Sequence, residues 1–82
     1  MRTPNPVNVK PLDNYMLYII FDNGEQKIYD MKKMLKHNFY KNLKNKEIFK
    51  TVKVSDMTLE WATGEDIAPE NIYYDSIPVE QE

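Results

Sequence analysis

The amino-acid sequence predicts a small α+β domain of two layers, with a mainly antiparallel sheet of four or five short strands and one helical segment packed on one face. Three observations favour this class. Asn23-Gly24 follows a strand-favouring run in which Leu17, Ile19 and Phe21 form one face, and a returning strand over Gln26 to Asp30 fits after this turn, which indicates a β-hairpin. From Met31 to about Lys44, hydrophobic residues recur at the three-and-four spacing of one helical face. Two further short hydrophobic stretches with turn residues between them follow that segment.

The length of the chain, 82 residues, predicts one domain over residues 1–75, followed by an acidic C-terminal tail over residues 76–82. A hydrophobic fraction of 41% is enough for a core. That core is expected to be thin, because a domain of this size buries only about 60–65% of the surface that its unfolded chain exposes. The chain has no cysteine, which excludes disulfides, thiolate zinc sites and a cysteine nucleophile.

Neither a signal-peptide-like segment nor a membrane-spanning hydrophobic run occurs in the sequence, so we expect a cytoplasmic protein without membrane contact. The formal net charge of −2 is too small to indicate a partner, but the charges are unevenly distributed. Residues 27–53 contain nine lysines against Asp30 and Glu47, whereas residues 54–82 contain eight acidic residues and no basic one.

The first predicted strand contains Val7 and Val9, and neighbouring prolines confine it to a sheet edge because proline has no backbone N–H for a central ladder. In the hairpin that follows, Leu17, Ile19 and Phe21 form the cleaner hydrophobic face and are assigned to the core.

The hairpin register has two alternatives at this stage. A two-residue type I′ loop at Asn23-Gly24 places Ile19 opposite Ile28. A three-residue loop with Gly24 in a bulge shifts the pairing by one residue.

The predicted helical segment begins at Asp30, whose side chain can accept a hydrogen bond from a free N–H of the first turn. Its hydrophobic face consists of Met31, Met34, Leu35, Phe39 and Leu43. One long helix and two short helices that meet near His37-Asn38 are both compatible with the sequence.

The later part of the chain contains two further predicted strands, Thr51 to Val54 and Met57 to Trp61. Ser55-Asp56 supplies the turn between them. We expect Ile67 to anchor the following loop in the core, and the residues after Pro69 to form a helical turn or a last short strand.

Several short motifs, in this order and spacing, resemble the bacterial domain-of-unknown-function family 2442. They are FDNGE at Phe21–Glu25, Tyr29-Asp30-Met31, Phe49 with Val52, WATGEDIAP at Trp61–Pro69, and Tyr73. The resemblance covers about Val7 to Tyr73 and implies a small α+β domain without an established activity. Some members of the family are encoded in arrangements similar to toxin–antitoxin pairs, which implies a protein-binding or regulatory role.

The residues that could perform nucleophilic or acid–base catalysis are few and scattered, which predicts a chain that is not an enzyme and needs no cofactor. The only histidine is His37, in a lysine-rich polar stretch, and the only serines are Ser55 and Ser76. The carboxylate pairs Glu65-Asp66 and Asp22 with Glu25 fit turn positions better than a metal site.

The favoured hypothesis is a non-catalytic interaction module, an antitoxin-like or regulatory subunit that binds a protein partner or forms a homodimer. Its candidate contact residues surround the single tryptophan: Trp61, Gly64, Asp66, Ile67 and Tyr73. A tryptophan at the end of a strand either closes a small core or anchors a partner, and the sequence leaves both alternatives open.

The alternative hypothesis is a nucleic-acid-associated protein that uses a lysine-rich helix. Its candidate residues are Lys32, Lys33, Lys36, Lys41 and Lys44. The only arginine of the chain is Arg2, so the helix lacks the side chain that most often reads guanine edges. Nucleic-acid binding is therefore less favoured than protein binding.

Overall fold

Two antiparallel sheets and several short helices form the fold in the computed structural model, which describes residues 3–79. The first sheet has the order β1-β2-β3-β7 and the second the order β4-β5-β6. The strands are β1 (Pro6–Pro11), β2 (Met16–Phe21), β3 (Gln26–Asp30), β4 (Lys53–Ser55), β5 (Thr58–Glu60), β6 (Asp66–Ile67) and β7 (Ile77–Pro78). The α+β class and the antiparallel pairing are confirmed, but the described residues form seven strands in two sheets rather than one sheet of four or five.

The β2–β3 hairpin has a three-residue loop, which confirms the second of the two registers. The Phe21 N–H donates to the Glu25 carbonyl at 2.9 Å, and the Gly24 N–H donates to the Phe21 carbonyl at 2.9 Å. Gly24 has a φ of +89°, whereas Asn23 is not among the residues with positive φ, so the type I′ alternative is wrong. In this register Tyr18 lies opposite Ile28.

Strand β1 lies at the edge of the four-stranded sheet, as its prolines predict. Its pairing with β2 shifts between Pro6 and Asn8, and the intervening Val7 is exposed in the resulting bulge. Val9 is partly buried and packs against the core. Only one of the two valines assigned to this strand therefore contributes to the core.

The helical segment after β3 is divided into two short helices, as one of the two alternatives predicted. Three 3-10 helices cover Asp13–Tyr15, Met31–Lys36 and Asn38–Lys44, and the α-helices are α1 (Lys46–Phe49) and α2 (Pro69–Asp75). The side chain of Asp30 accepts a hydrogen bond from the Lys32 N–H at 2.9 Å, which confirms the predicted cap. His37 has an extended backbone, φ −82° and ψ 135°, and ends the first of the two helices.

The break at His37 changes which aromatic residue faces the core. Phe39, assigned to the hydrophobic face, is 60% exposed, whereas Tyr40 is buried. In a 3-10 helix the side chains three residues apart are aligned, so Tyr40 and Leu43 point inward together. The prediction for Phe39 is wrong because a helical spacing does not continue across a residue with an extended backbone.

The β4–β5 hairpin has a two-residue turn at Asp56 and Met57, with φ values of +47° and +68°. Positive φ at both central positions is the type I′ geometry. A turn between the two strands is confirmed, but its central residues are Asp56 and Met57 rather than the predicted Ser55 and Asp56.

The C-terminal part of the described chain is more ordered than a tail. Helix α2 confirms the helical turn after Pro69, and Ile77 and Pro78 then pair with β3. Part of the segment predicted as the tail 76–82 therefore forms β7, and residues 80–82 lie outside the described residues.

Between the two sheets lies one hydrophobic core, to which both sheets and most of the helices contribute. Its fully buried large side chains are Trp61, Tyr29, Phe21, Leu17, Ile19, Met31, Leu43, Leu59, Ile67 and Ile72. The assignment of Leu17, Ile19 and Phe21 to the core is confirmed. The alternate residues of β2 and β3 consequently lie on the opposite face of the four-stranded sheet.

Candidate functional site

Two of the five residues proposed for partner contact lie in the core. Trp61 is 1% exposed, and its indole N–H donates to the Phe49 carbonyl at 3.1 Å. Ile67 is 2% exposed. Trp61 therefore closes the core, one of the two roles that the sequence left open, and Ile67 is the expected core anchor. Neither side chain is available at the surface in this fold.

The other three candidates lie at or near the surface but have local structural contacts. Gly64 is exposed with a φ of +96°, and Asp66 is exposed while its backbone carbonyl accepts a 2.9 Å hydrogen bond from the Tyr40 hydroxyl. Tyr73 is half-buried, its ring makes an edge contact with Phe21 at a centroid distance of 5.1 Å, and its hydroxyl donates to Glu25. Asp66 and Tyr73 therefore have contacts within the fold, and Gly64 has the backbone conformation that its loop requires.

The loop from Trp61 to Glu65 repeats the geometry of the β2–β3 loop. The Trp61 N–H donates to the Glu65 carbonyl and the Gly64 N–H to the Trp61 carbonyl, both at 2.9 Å. Both loops have an aromatic residue, two further residues, glycine and glutamate. The signal that could have indicated this shared loop is a short repeat in the sequence, FDNGE and WATGE.

The glutamates of the two loops are held by similar hydrogen bonds. The Glu65 carboxylate is buried and accepts hydrogen bonds from Thr63 and, at 3.1 Å, from the Asn42 amide. Burial alone raises the pKa of Glu65, but these hydrogen bonds outweigh it, and the net pKa is lowered. Hydrogen bonds from Tyr73 and Asn23 likewise lower the pKa of Glu25. Both carboxylates therefore have structural partners within the fold.

The lysine candidates for nucleic-acid contact are exposed but do not share one continuous helix. Lys32, Lys33 and Lys36 precede the break at His37, and Lys41 and Lys44 follow it. The Lys32 ammonium pairs with Asp30 at 3.2 Å, and the Lys33 ammonium with Asp75 at 3.6 Å. The second pair also shows that the basic and acidic parts of the chain make contact.

The outer face of the four-stranded sheet carries a row of hydrophobic residues that is separate from the core. Tyr18 on β2 lies opposite Ile28 on β3, and Ile28 lies opposite Ile77 on β7. Tyr18 and Ile28 are half-buried and Ile77 is 70% exposed. None of the three packs against the core cluster. This row, together with Ile20 beside it on β2, is called the outer-face row below.

Polar residues lie next to the outer-face row. Lys10 pairs with Tyr18 across β1 and β2, and its side chain is exposed. The Tyr18 hydroxyl donates to the Gln26 side chain. Asp30 lies on the same face of β3 as Ile28, two residues further along the chain, and its carboxylate is paired with the Lys32 ammonium. A hydrophobic centre with a charged border is the arrangement of many protein-contact surfaces.

Residues 3–79 contain neither a metal-binding cluster nor a membrane-spanning helix. No group of three or more histidine, cysteine, aspartate or glutamate side chains is placed to hold a metal ion there. No helix in the same range is both long and hydrophobic enough to cross a membrane.

A known family model matches most of the chain. The model described as "Protein of unknown function (DUF2442)" matches residues 6–78. The chain belongs to the DUF2442 family. That match begins with β1 and ends with β7, so the DUF2442 region contains both sheets and the outer-face row. No curated protein and no solved structure gives a match.

Proposed function

We propose that this DUF2442 chain is a non-catalytic cytoplasmic interaction module, an antitoxin-like or regulatory subunit, that binds a protein partner through the outer face of its four-stranded sheet. The observation that carries the proposal is the outer-face row, in which Tyr18, Ile28 and Ile77 are neighbours across three strands outside the core. The contact surface expected around Trp61 is thereby replaced, because the tryptophan is buried.

The outer-face row supplies the energy for such a contact. Complete burial of an isoleucine side chain contributes about 1.5–3 kcal/mol relative to an exposed one. Ile77 is 70% exposed and retains most of that gain for a partner. Half-buried Ile28 and Tyr18 add area beside it. A partner that covered all three side chains would gain hydrophobic energy that the isolated chain does not use.

The charges at the border specify the chemistry of the partner. Lys10 lies beside Tyr18 and forms no ion pair within residues 3–79, whereas Asp30 is already paired with Lys32. The matching protein surface therefore has a hydrophobic centre and a carboxylate opposite Lys10. Binding of this kind depends mainly on hydrophobic burial, so moderate salt weakens it only slightly.

The test is a pull-down of the tagged chain from its native host at low and moderate salt, with bound proteins and nucleic acids both identified. The proposal predicts one stoichiometric protein that survives moderate salt and is lost from the Ile28→Lys variant. The paired variant Lys36→Glu with Lys44→Glu retains that protein. Nucleic acid that is released as salt rises, and that the paired lysine variant no longer binds, would instead support the lysine-rich segment.

A further inference from the structure

A cleft of about 500 Å³ opens between the β1–β2 loop and helix α1. Its volume is within the range of about 300–1,000 Å³ that small-molecule sites occupy. The residues that line it are Pro11, Leu12, Asp13, Asn14, Tyr15, Lys46, Phe49 and Lys50. It is separate from the outer-face row, none of whose members lines it.

One side of the cleft is hydrophobic and held in place by tertiary contacts. The Tyr15 ring makes an edge contact with the Phe49 ring at a centroid distance of 5.3 Å. The Tyr15 hydroxyl donates to the Lys44 carbonyl at 2.5 Å. Pro11 and Leu12 add apolar surface to the same side of the cleft. A flat apolar group of a ligand would find a preformed wall here.

The loop that shapes the cleft has an unusual backbone. Asn14 and Tyr15 have φ values of +61° and +60°. Asparagine adopts this left-handed conformation more readily than most residues, but a bulky tyrosine does so rarely. The contacts of Tyr15 with Phe49 and Lys44 hold it there, and the Lys32 ammonium donates to the Asn14 carbonyl at 3.3 Å. Strain that is maintained by the surrounding structure is common at ligand sites.

The other side of the cleft is cationic. Lys46 and Lys50 are four residues apart, and the Lys50 N–H donates to the Lys46 carbonyl at 3.1 Å, so both side chains leave the same side of this helical turn. Neither ammonium group forms an ion pair within residues 3–79. Asp13 is the single carboxylate in the lining. The cleft therefore offers two free ammonium groups against one carboxylate.

We propose that this cleft binds a small organic anion in which a phosphate or carboxylate is attached to a flat apolar ring. Lys46 and Lys50 hold the anionic group, and the Tyr15 ring with Pro11 and Leu12 contacts the ligand ring, while the buried Phe49 supports Tyr15 from behind. Ammonium-to-oxyanion hydrogen bonds are among the stronger ones, and the apolar wall adds hydrophobic contact. The site differs from the outer face in position and in ligand class.

The test is a titration of the isotope-labelled full chain with phenyl phosphate and with benzoate, followed by two-dimensional amide NMR. We expect saturable shifts concentrated at residues 11–15 and 46–50. Removal of one ammonium, in Lys46→Ala or Lys50→Ala, weakens binding about tenfold, and the double variant loses saturable binding. Lys53→Ala, which removes an exposed lysine of β4 outside the cleft, binds like the original chain.

Three results would overturn the proposal. The first is shifts that do not saturate or that spread over all lysines. The second is equal affinity for inorganic phosphate and phenyl phosphate, because the apolar wall would then contribute nothing. The third is unchanged affinity in the Lys46 and Lys50 variants. Ile28→Lys serves to separate this site from the proposed protein contact, since we expect it to abolish partner binding and to leave the titration unchanged.

Discussion

Gly24 and Gly64 occupy equivalent positions in two three-residue hairpin loops. Their φ values are +89° and +96°, and each N–H donates at 2.9 Å to the carbonyl of the aromatic residue three positions earlier. The glutamate after each glycine closes the loop through its own carbonyl. One loop design therefore connects the central strands of the first sheet and the last two strands of the second.

Alanine at either glycine is expected to lower the free energy of unfolding by about 1 kcal/mol, because a residue with a Cβ resists this left-handed conformation. No atom lies within 4 Å of the position that a Cβ would occupy at Gly24 or Gly64, so the loss comes from the backbone and not from a clash. Urea denaturation measures it. Asparagine at the same positions is the control and costs less; equal stability of the alanine variants would contradict this account.

Met57 has a φ of +68° in the type I′ turn of the β4–β5 hairpin and is 61% exposed. Glycine relieves this conformation, although it also increases the entropy of the unfolded chain. We expect Met57→Gly to be more stable than Met57→Ala by about 0.5–1 kcal/mol. Both variants remove the same contact of the Met57 sulfur with Asn5, so their difference in thermal denaturation isolates the backbone term.

Tyr29 and Tyr40 are both buried, but within residues 3–79 only the Tyr40 hydroxyl has a hydrogen-bond partner. The Tyr40 hydroxyl donates to the Asp66 carbonyl at 2.9 Å, whereas the buried Tyr29 hydroxyl has none among the described residues. Burial is also the main cause that raises the pKa of Tyr29 to about 12.

We accordingly expect Tyr40→Phe to lower the free energy of unfolding by about 1 kcal/mol and Tyr29→Phe to leave it unchanged or raise it. Chemical denaturation of the two variants measures both. The reverse order of their stabilities would contradict the hydrogen-bond assignment.

Glu65 is expected to make the stability depend on acid pH. Its pKa in the folded chain is lowered from 4.5, so the folded state favours the carboxylate. Its contribution is complete above the unfolded pKa and is lost as the pH falls through the folded value. Between neutral pH and the acid range, Glu65→Gln should therefore lose less stability than the original chain. Parallel pH profiles of thermal unfolding in the two proteins would show that Glu65 does not contribute in this way.

Local patterns in the sequence were sufficient to predict those elements in which the hydrophobic residues keep a regular spacing from end to end. Leu17, Ile19 and Phe21 alternate without a gap and form the core face of β2, as predicted. The Asp30 cap depends on residues two positions apart and is also confirmed. The prediction that Phe39 faces the core is wrong because His37 has an extended backbone. The helical spacing starts anew after His37, so the side chains that follow point in different directions from those predicted.

Other features depend on contacts between distant parts of the chain. Strand β7 exists because Ile77 meets Ile28, a pairing that no local signal indicates. Two of the proposed contact residues, Trp61 and Ile67, are covered by elements far away in sequence, so their burial could not be decided from composition. The outer-face row likewise becomes visible only when the register of three strands is known.

The most direct test of the proposed protein contact compares two matched variants in the pull-down at moderate salt. Ile28→Lys places a charge in the outer-face row, and Phe39→Lys places the same charge at an exposed hydrophobic residue elsewhere. With both variants shown to be folded by their thermal transitions, we predict that Ile28→Lys loses the partner and Phe39→Lys keeps it. Retention of the partner by folded Ile28→Lys would contradict the assignment of the outer face as the binding surface.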